Sequence, residues 1–418
     1  MAAEVNLMNL ADLEGTYVSQ LGGKETDGSE FVRSMIRREY TRDKQDPNLF
    51  AIYLKLCGNN RHMGAVRLLD ADIPPVCSAL LLKPCINVLD LRYNRLTDAA
   101  ASVLADLLSS DLVLRELNLT GNDITETGAM YIANGLKANK KLLVLKMIGN
   151  PVGTIGGLRI AQALQINDTL EFIDLGECGQ TVTSCVAFAT MLRSNTAIRS
   201  LNLSRQLLWT QQEEPTVHVG DMLCVNNTLI ELHLAKVNMR DFGAERIADA
   251  LERNSTLQLL DISGNRIARD GAVALSRVLM ADCSLVILDL AFNRIQCAGA
   301  KAIATALLTN TRLKVLAVQF CELKGPGLCS LAEALITNNT LNNIYIWGNE
   351  HDESTCIAYS NLLENGRLTP ECTDVRPYVV DGRVYLARLD HDNEYRLYRF
   401  SVPWWKSFVP KDRSVALF

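Results

Sequence analysis

What this chain lacks narrows its function before any motif is read. Its opening residues, Met1 to Asn9, hold no sustained apolar run, so neither a secretory h-region nor a spanning helix is available there. The expectation is a chain that stays inside the cell, in the cytoplasm or the nucleus, without a membrane partner. Its twelve cysteines include no CxxC pair and are scattered over 418 residues, which suits reduced thiols packed as small hydrophobes better than a disulfide framework or a zinc site. Positive charge is in deficit, with 42 Lys and Arg against 47 Asp and Glu. Phosphate binding relies on clustered cations that release counterions, so nucleic acid is disfavoured as the main ligand.

The chemistry of catalysis is also missing. There is no G-x-x-x-x-G-K-[ST] phosphate loop, since Gly23 and Lys24 are followed by Glu25. Five histidines, His62, His218, His233, His351 and His391, fall on different segments, and no serine or cysteine stands in a nucleophile-elbow context. His391 between Asp390 and Asp392 makes no metal-ligand set, and neither do Asp261 and Asp289 at equivalent positions of neighbouring segments. The expectation is a non-enzyme with no cofactor and no metal.

What is present is periodic. A hydrophobic content of 48% against 21% charge allows a large core. The frame L-x-x-L-x-L-x-x-N-x-L, seen at Leu114, Leu117, Leu119, Asn122 and Ile124, returns from Ile86 through Leu142, Leu170, Ile198, Leu229, Leu257, Leu285 and Leu313 to Leu341. The spacing is 28 residues except for 31 between Ile198 and Leu229, where the extra residues fall in Trp209 to Pro215. That insertion reads as a solvated bulge or as a partner contact through Trp209. A degenerate eleventh copy is expected before the ten, with Met63, Val66, Leu68 and Ile73 in phase and a shortened connection to Ile86.

Each unit opens with an alternating apolar run and continues with 3.6-period residues such as Ala129, Ile132, Ala133 and Leu136, so it reads as strand, turn, helix. Thr97 and Thr125 stand at N-cap positions, and Gly128, Gly243, Gly271 and Gly299 near helix starts permit close approach. One unit cannot bury its own apolar face, so units must stack into an α/β solenoid, a horseshoe with a parallel concave sheet and convex helices. Asn94, Asn122, Asn150, Asn265, Asn293 and Asn349 hold a ladder position where an amide can satisfy turn backbone groups; Cys178 and Cys321 are accepted variants, while Gln206 and Val237 depart from the pattern. The Asn-x-Ser/Thr triplets at Asn118, Asn167, Asn202, Asn226, Asn254 and Asn338 belong to this repeat chemistry rather than to glycosylation.

With that frame, the chain resembles ribonuclease-inhibitor-type leucine-rich-repeat proteins. Gly243 to Leu257 (GAERIADALERNSTL) follows their G-A-x-x-L-A-x-A-L-x-x-N-x-T-L template, and the resemblance covers residues 60 to 365. It implies protein binding through the concave face, in roles that include scaffolding in the ciliary axoneme or another cytoskeletal assembly, small-GTPase regulation and enzyme inhibition. The reading favoured is a non-enzymatic interaction scaffold, monomeric within a larger complex. A Ran-type GTPase-activating protein is the alternative, weakened because residues 366 to 418 hold nine Arg or Lys against seven Asp or Glu where that family carries an acidic tail. Ribonuclease inhibition is a third reading, with only a mildly acidic inner face to attract a basic enzyme.

Strand alternation assigns Asp90, Asn118, Lys146, Asp174, Asn202, His233, Asp261, Asp289, Ala317 and Tyr345 to the open inner face, with a further row running from Tyr93 to Phe292, Phe320 and Gly348. The expected partner-binding residues are Leu259, Asp261, Ile287, Asp289, Phe292, Val315, Phe320, Tyr345 and Trp347, together with Trp404 and Trp405 of the tail. Either a partner or the chain's own tail covers this aromatic end. Three regions are expected. Residues 1–60 form a helical cap, with helix-like spacing in Phe31 to Tyr40 and Leu49 to Leu56 and a basic run at Arg33, Arg37, Arg38, Arg42 and Lys44 read as a solvated face. Residues 61–365 form the array. Residues 366–418 form a hairpin turning at Asp381 and Gly382, then a tail bearing Tyr395, Tyr398, Phe400, Trp404, Trp405 and Phe408.

Overall fold

A computed structural model describes residues 2–45, 51–59, 66–110, 113–206 and 213–389. His62, Met63, Trp209, His391 and the tail aromatics from Tyr395 to Phe408, Trp404 and Trp405 among them, lie outside the described residues. The chain divides into two compact units, one reaching Gln206 and one beginning at Leu207.

The first unit starts with two helices, α1 (Ala2–Leu21) and α2 (Asp27–Gln45). Leu10, Leu13, Tyr17 and Leu21 recur at helical spacing and are buried, as are Phe31, Val32, Met35 and Ile36 of α2. Glu14 ties the two together, since Arg33 and Arg37 both reach its carboxylate. The two guanidiniums hold that carboxyl below its usual range, Arg37 by hydrogen bonding first. Two N-terminal helices are therefore present, with Arg33 and Arg37 of the basic run engaged by Glu14 and Arg42 by Glu39 rather than simply solvated, but residues 51–56 of the stretch expected to be helical from Leu49 to Leu56 are not helical. Ile52, Leu54 and Leu56 are buried while Tyr53 and Lys55 between them are half-exposed, a two-residue period that makes a strand.

That strand, β1 (Tyr53–Lys55), is the first rung of the array and pairs in parallel with β2 (Val88–Asp90), Leu54 against Leu89. The opening repeat is thus framed on Leu54, Leu56 and Asn59 rather than on Met63 and Val66. Its connection is lengthened, not shortened, because Leu54 and Leu89 lie 35 residues apart. In the same register follow β3 (Glu116–Asn118), β4 (Val144–Lys146), β5 (Phe172–Asp174) and β6 (Ser200–Asn202). The second unit repeats the arrangement with β7 (Glu231–His233), β8 (Leu259–Asp261), β9 (Ile287–Asp289), β10 (Val315–Ala317) and β11 (Asn343–Tyr345). It ends in an antiparallel hairpin, β12 (Val375–Val380) and β13 (Arg383–Arg388), joined by Asp381 and Gly382 at φ 49° and 77°. Two consecutive left-handed residues are what a two-residue hairpin loop requires.

A helix follows every strand of the array, and Thr97 and Thr125 cap theirs as expected. Each threonine also donates its hydroxyl to an aspartate of the preceding repeat, Thr97 to Asp70 and Thr125 to Asp98, at 2.6 Å. The central strand leucines Leu89, Leu117, Leu145, Leu232, Leu260 and Leu316 are wholly buried. Behind them runs the amide ladder. Asn122 Nδ2 donates to Leu91 O and Leu119 O at 3.0 and 2.9 Å, and its Oδ1 accepts from Leu96 N at 3.2 Å. Asn94 also donates to Leu91 O, and Asn150 to Leu119 O, so these carbonyls are shared between two repeats. Cys178 and Cys321 each donate one such bond from Sγ, at 3.1 Å. Gln206 proves not to depart: one methylene longer, it donates to Leu175 O at 2.7 Å and accepts from Gln180 N at 2.8 Å.

Asn122→Ala leaves the buried Leu96 N–H unsatisfied and strips one partner from each of two carbonyls, a loss of about 2–4 kcal/mol from unfolding free energy. Asn122→Cys keeps one donated bond and should lose roughly half as much. Urea unfolding measures both; equal losses would show that the ladder bond itself contributes nothing.

Candidate functional site

Each repeat presents three side chains on the strand side of the solenoid: one before its central strand leucine, one after it, and one on the turn three residues further on. In the second unit the first column contains Leu259, which is buried, and Ile287 and Val315, which are half-buried. The second column behaves differently from the sequence expectation of an open acidic face. Asp261, Asp289 and Tyr345 are at most 3% exposed. The acids are occupied at home: Oδ1 of Asp261 accepts from Ser263 N at 3.1 Å and that of Asp289 from Ala291 N at 2.9 Å. Asp90, Asn118, Asp174 and Asn202 make the same bond to the N–H two residues on. This is the Asx-type turn by which short polar side chains hold a backbone leaving a strand. Tyr345 packs with Ala291, Ala317 and Val315 instead of standing in an exposed cluster.

The third column is the exposed one. It runs Tyr93, Gly121, Gly149, Glu177 and Arg205 in the first unit, then Lys236, Gly264, Phe292, Phe320 and Gly348 in the second, all with φ between 51° and 82°. The left-handed backbone is imposed by the turn, because these N–H groups donate to the next repeat: Phe292 N to Gln319 O at 2.7 Å and Phe320 N to Trp347 O at 3.1 Å. Glycine fits this conformation without penalty, whereas a bulky side chain there is an outlier. Phe292 and Phe320 are nonetheless 46% and 44% exposed, with rings stacked at a centroid distance of 4.8 Å and an interplanar angle of 9°. Gly348 continues the stack, because the Phe320 ring occupies the space its Cβ would take. Trp347 is half-buried, with His351 tilted against it at 5.8 Å. The structure therefore brings Phe292, Phe320 and Trp347 to one rim and places Leu259, Asp261, Asp289 and Tyr345 beneath the surface.

Two arrangements were not read from the sequence. His233 is fully buried between Glu231 and Asp261, at 3.7 and 3.5 Å. Burial alone would lower its pKa, but the two carboxylates outweigh it and raise it to about 9. At those distances the attraction is charge on charge rather than a well-made hydrogen bond. The signal was an acid–x–histidine triplet whose histidine falls in the same column as the aspartate 28 residues later. The second arrangement is another amide ladder on the helix side. Asn167, Asn195, Asn254 and Asn338 each donate to carbonyls one repeat back, and Oδ1 of each accepts from the leucine or isoleucine N–H that opens the next strand frame. Arg367 replaces the asparagine at the end of the row, donating Nε to Leu335 O at 2.7 Å. The Asn-x-Thr triplets at Asn167, Asn254 and Asn338 were its sequence signature.

Among the described residues no helix is long and apolar enough to cross a membrane, and no group of three or more His, Cys, Asp or Glu is placed to hold a metal. The sequence profile described as Leucine Rich repeat matches residues 83–105, 112–133, 253–276 and 281–304. Leucine-rich repeat-containing protein 34 of Mus musculus is 42% identical over 238 residues, 57% of this chain and 57% of that protein. The protein of the same name from Homo sapiens is 48% identical over 194 residues, 46% of this chain and 42% of that protein. The chain thus spans about half the length of the curated relatives it matches. A solved structure of a TLR13-ssRNA13 complex aligns at 16% identity and a TM-score of 0.45, over 73% of this chain and 39% of that one.

The buried histidine has a consequence for stability. Its folded pKa lies above the unfolded value of about 6.5, so protonation favours the folded state. The contribution is fully present below that unfolded value and is lost as pH rises through about 9. Between neutral and alkaline pH the melting temperature of the chain should fall about 3–6 °C further than that of His233→Gln. Parallel melting curves for the two proteins across that range would rule the buried charge out.

Proposed function

Starting from a chain that is a leucine-rich-repeat protein, we propose that it works without catalysis as a protein-interaction scaffold and that a protein partner docks on the aromatic rim of its second unit. One observation carries this reading: Phe292 and Phe320 stand half-exposed and stacked on a left-handed backbone that is filled by glycine at Gly121, Gly149, Gly264 and Gly348 and by Tyr93 or charged residues elsewhere. Strain of this kind costs of order 1–3 kcal/mol and persists where the surroundings impose it, often at functional sites. Exposed aromatics are anchors in interfaces because they bury much area with few rotors to freeze. Ile287, Val315 and Trp347 add half-buried apolar surface from neighbouring strands and turns of the same unit. Trp404 and Trp405 belong to the proposal on sequence grounds. Its finer part, a setting in the ciliary axoneme or another cytoskeletal assembly, rests on family resemblance.

The glycine column supplies a clean test. Phe292→Gly with Phe320→Gly removes the rings but gives the backbone a residue suited to it. Relief of left-handed strain and loss of the stack offset each other to within about 1 kcal/mol. Proximity labelling in cells should lose its specific partners at least tenfold while the melting temperature stays within a few degrees. Unchanged labelling would place the site elsewhere, and stimulated hydrolysis by any member of a purified small-GTPase panel would overturn the non-catalytic reading.

A further inference from the structure

We infer that the outward face of the C-terminal hairpin is a second docking surface, shaped for an extended acidic segment of a partner protein. The hairpin has two unlike faces. Val375 and Leu386 are buried on the side that packs on the helix Glu353–Glu364. The opposite face presents Arg376, Tyr378 and Val380 from β12 and Arg383, Tyr385 and Ala387 from β13. Tyr378, Val380 and Tyr385 are 47%, 47% and 40% exposed. No helix covers them among the described residues.

The register fixes how this face is laid out. Tyr378 lies directly opposite Tyr385, with ring centroids 5.6 Å apart. Arg376 faces Ala387 one row to one side, and Arg383 faces Val380 one row to the other. A tyrosine pair is therefore framed by guanidiniums at diagonally opposite corners. Both arginines are exposed, neither makes an ion pair among the described residues, and the face itself carries no acid. Tyr and Arg are the residues enriched at interface centres. A guanidinium fork selects carboxylates.

The spacing then specifies the ligand. The arginine rows lie four residues apart along the strand, about 14 Å at roughly 3.4 Å per residue. In an extended segment, residues i, i+2 and i+4 share one face. The complement is therefore acid–x–apolar–x–acid, with the middle side chain on the tyrosines. Single-stranded nucleic acid fits less well. Two cations cannot track a phosphate backbone, and the two rings already stack on each other instead of offering free faces to bases.

The test uses the full chain and a fluorescent synthetic peptide carrying Glu–x–Leu–x–Glu in a Thr/Ser background, read by anisotropy. Saturable binding is expected, falling at least tenfold when one Glu is moved to the neighbouring position and tenfold again with raised salt. Arg376→Glu with Arg383→Glu should abolish it, and a Lys–x–Leu–x–Lys peptide should restore it on that variant. Both sites are exposed, so folding is unaffected; Tyr378→Thr with Tyr385→Thr keeps strand propensity and should weaken binding without charge change. Three results would overturn the inference: no binding or register-independent binding, displacement by an oligouridine, or self-association of the chain that the tyrosine variant abolishes. The Phe292→Gly, Phe320→Gly protein must bind the peptide normally, which separates this surface from the rim.

Discussion

A strand of three residues followed at once by a sharp turn leaves backbone N–H and C=O groups that its own repeat satisfies only in part. In this chain the remaining partner comes from the next repeat, as the shared carbonyls Leu91 O and Leu119 O show. A buried polar group without a partner costs more than most single contacts return, so no unit is stable alone and the array exists only as a stack. The same dependence recurs on the helix side through Asn167, Asn195, Asn254 and Asn338, and between helix starts through Asp98 and Thr125. Three parallel rows of side-chain bonds therefore set the register that hydrophobic packing of the leucines, being non-directional, leaves open.

The ladders also decide which side chains remain available for function. Acids and amides on the strand face look like a recognition surface when read as a column of charges, but their first task is local. Asp261 and Asp289 hold the N–H groups of Ser263 and Ala291 and are buried in doing so. His233 sits in this same column between two carboxylates, so part of the apparent negative charge is neutralised internally. What faces outward is displaced to the turn residues beyond the strands.

The repeat was legible because its period is long, its leucines are numerous, and its asparagines recur at a fixed offset. The hairpin was legible because Asp381–Gly382 admits few other turns. The opening repeat was misframed because Leu54 and Leu56 are followed by a longer connection, which lets Met63 and Val66 mimic the motif at a spacing nearer the regular one. The helical pattern expected over Leu49 to Leu56 fails over its described part, residues 51–56, for a related reason: in so short a window an apolar set fits both periods, and pairing with β2 decides. Gln206 was misjudged by residue type when function at that position depends on an amide reaching two groups. The exposure of the strand columns could not be read at all, since alternation gives the side of the sheet but not the use each polar group is put to.

The left-handed turn position joins these strands of argument. The N–H of Phe320 must point at Trp347 O for the stack to propagate, and that requirement holds the residue in the left-handed region, as at every position of the column. Side chains of this column pack on their neighbours along the column instead of in the leucine core, as the Phe292–Phe320 stack shows. Residue choice there is consequently less constrained than at the ladder and core positions, beyond a preference for glycine. Lys236, Gly264, Phe292, Phe320 and Gly348 occupy five consecutive turns of one unit, so its surface changes from aliphatic-cationic to aromatic along a backbone that does not change. If the rim docks a partner as proposed, changes in this column alter the docking surface at the cost of a local conformational penalty and without disturbing any ladder.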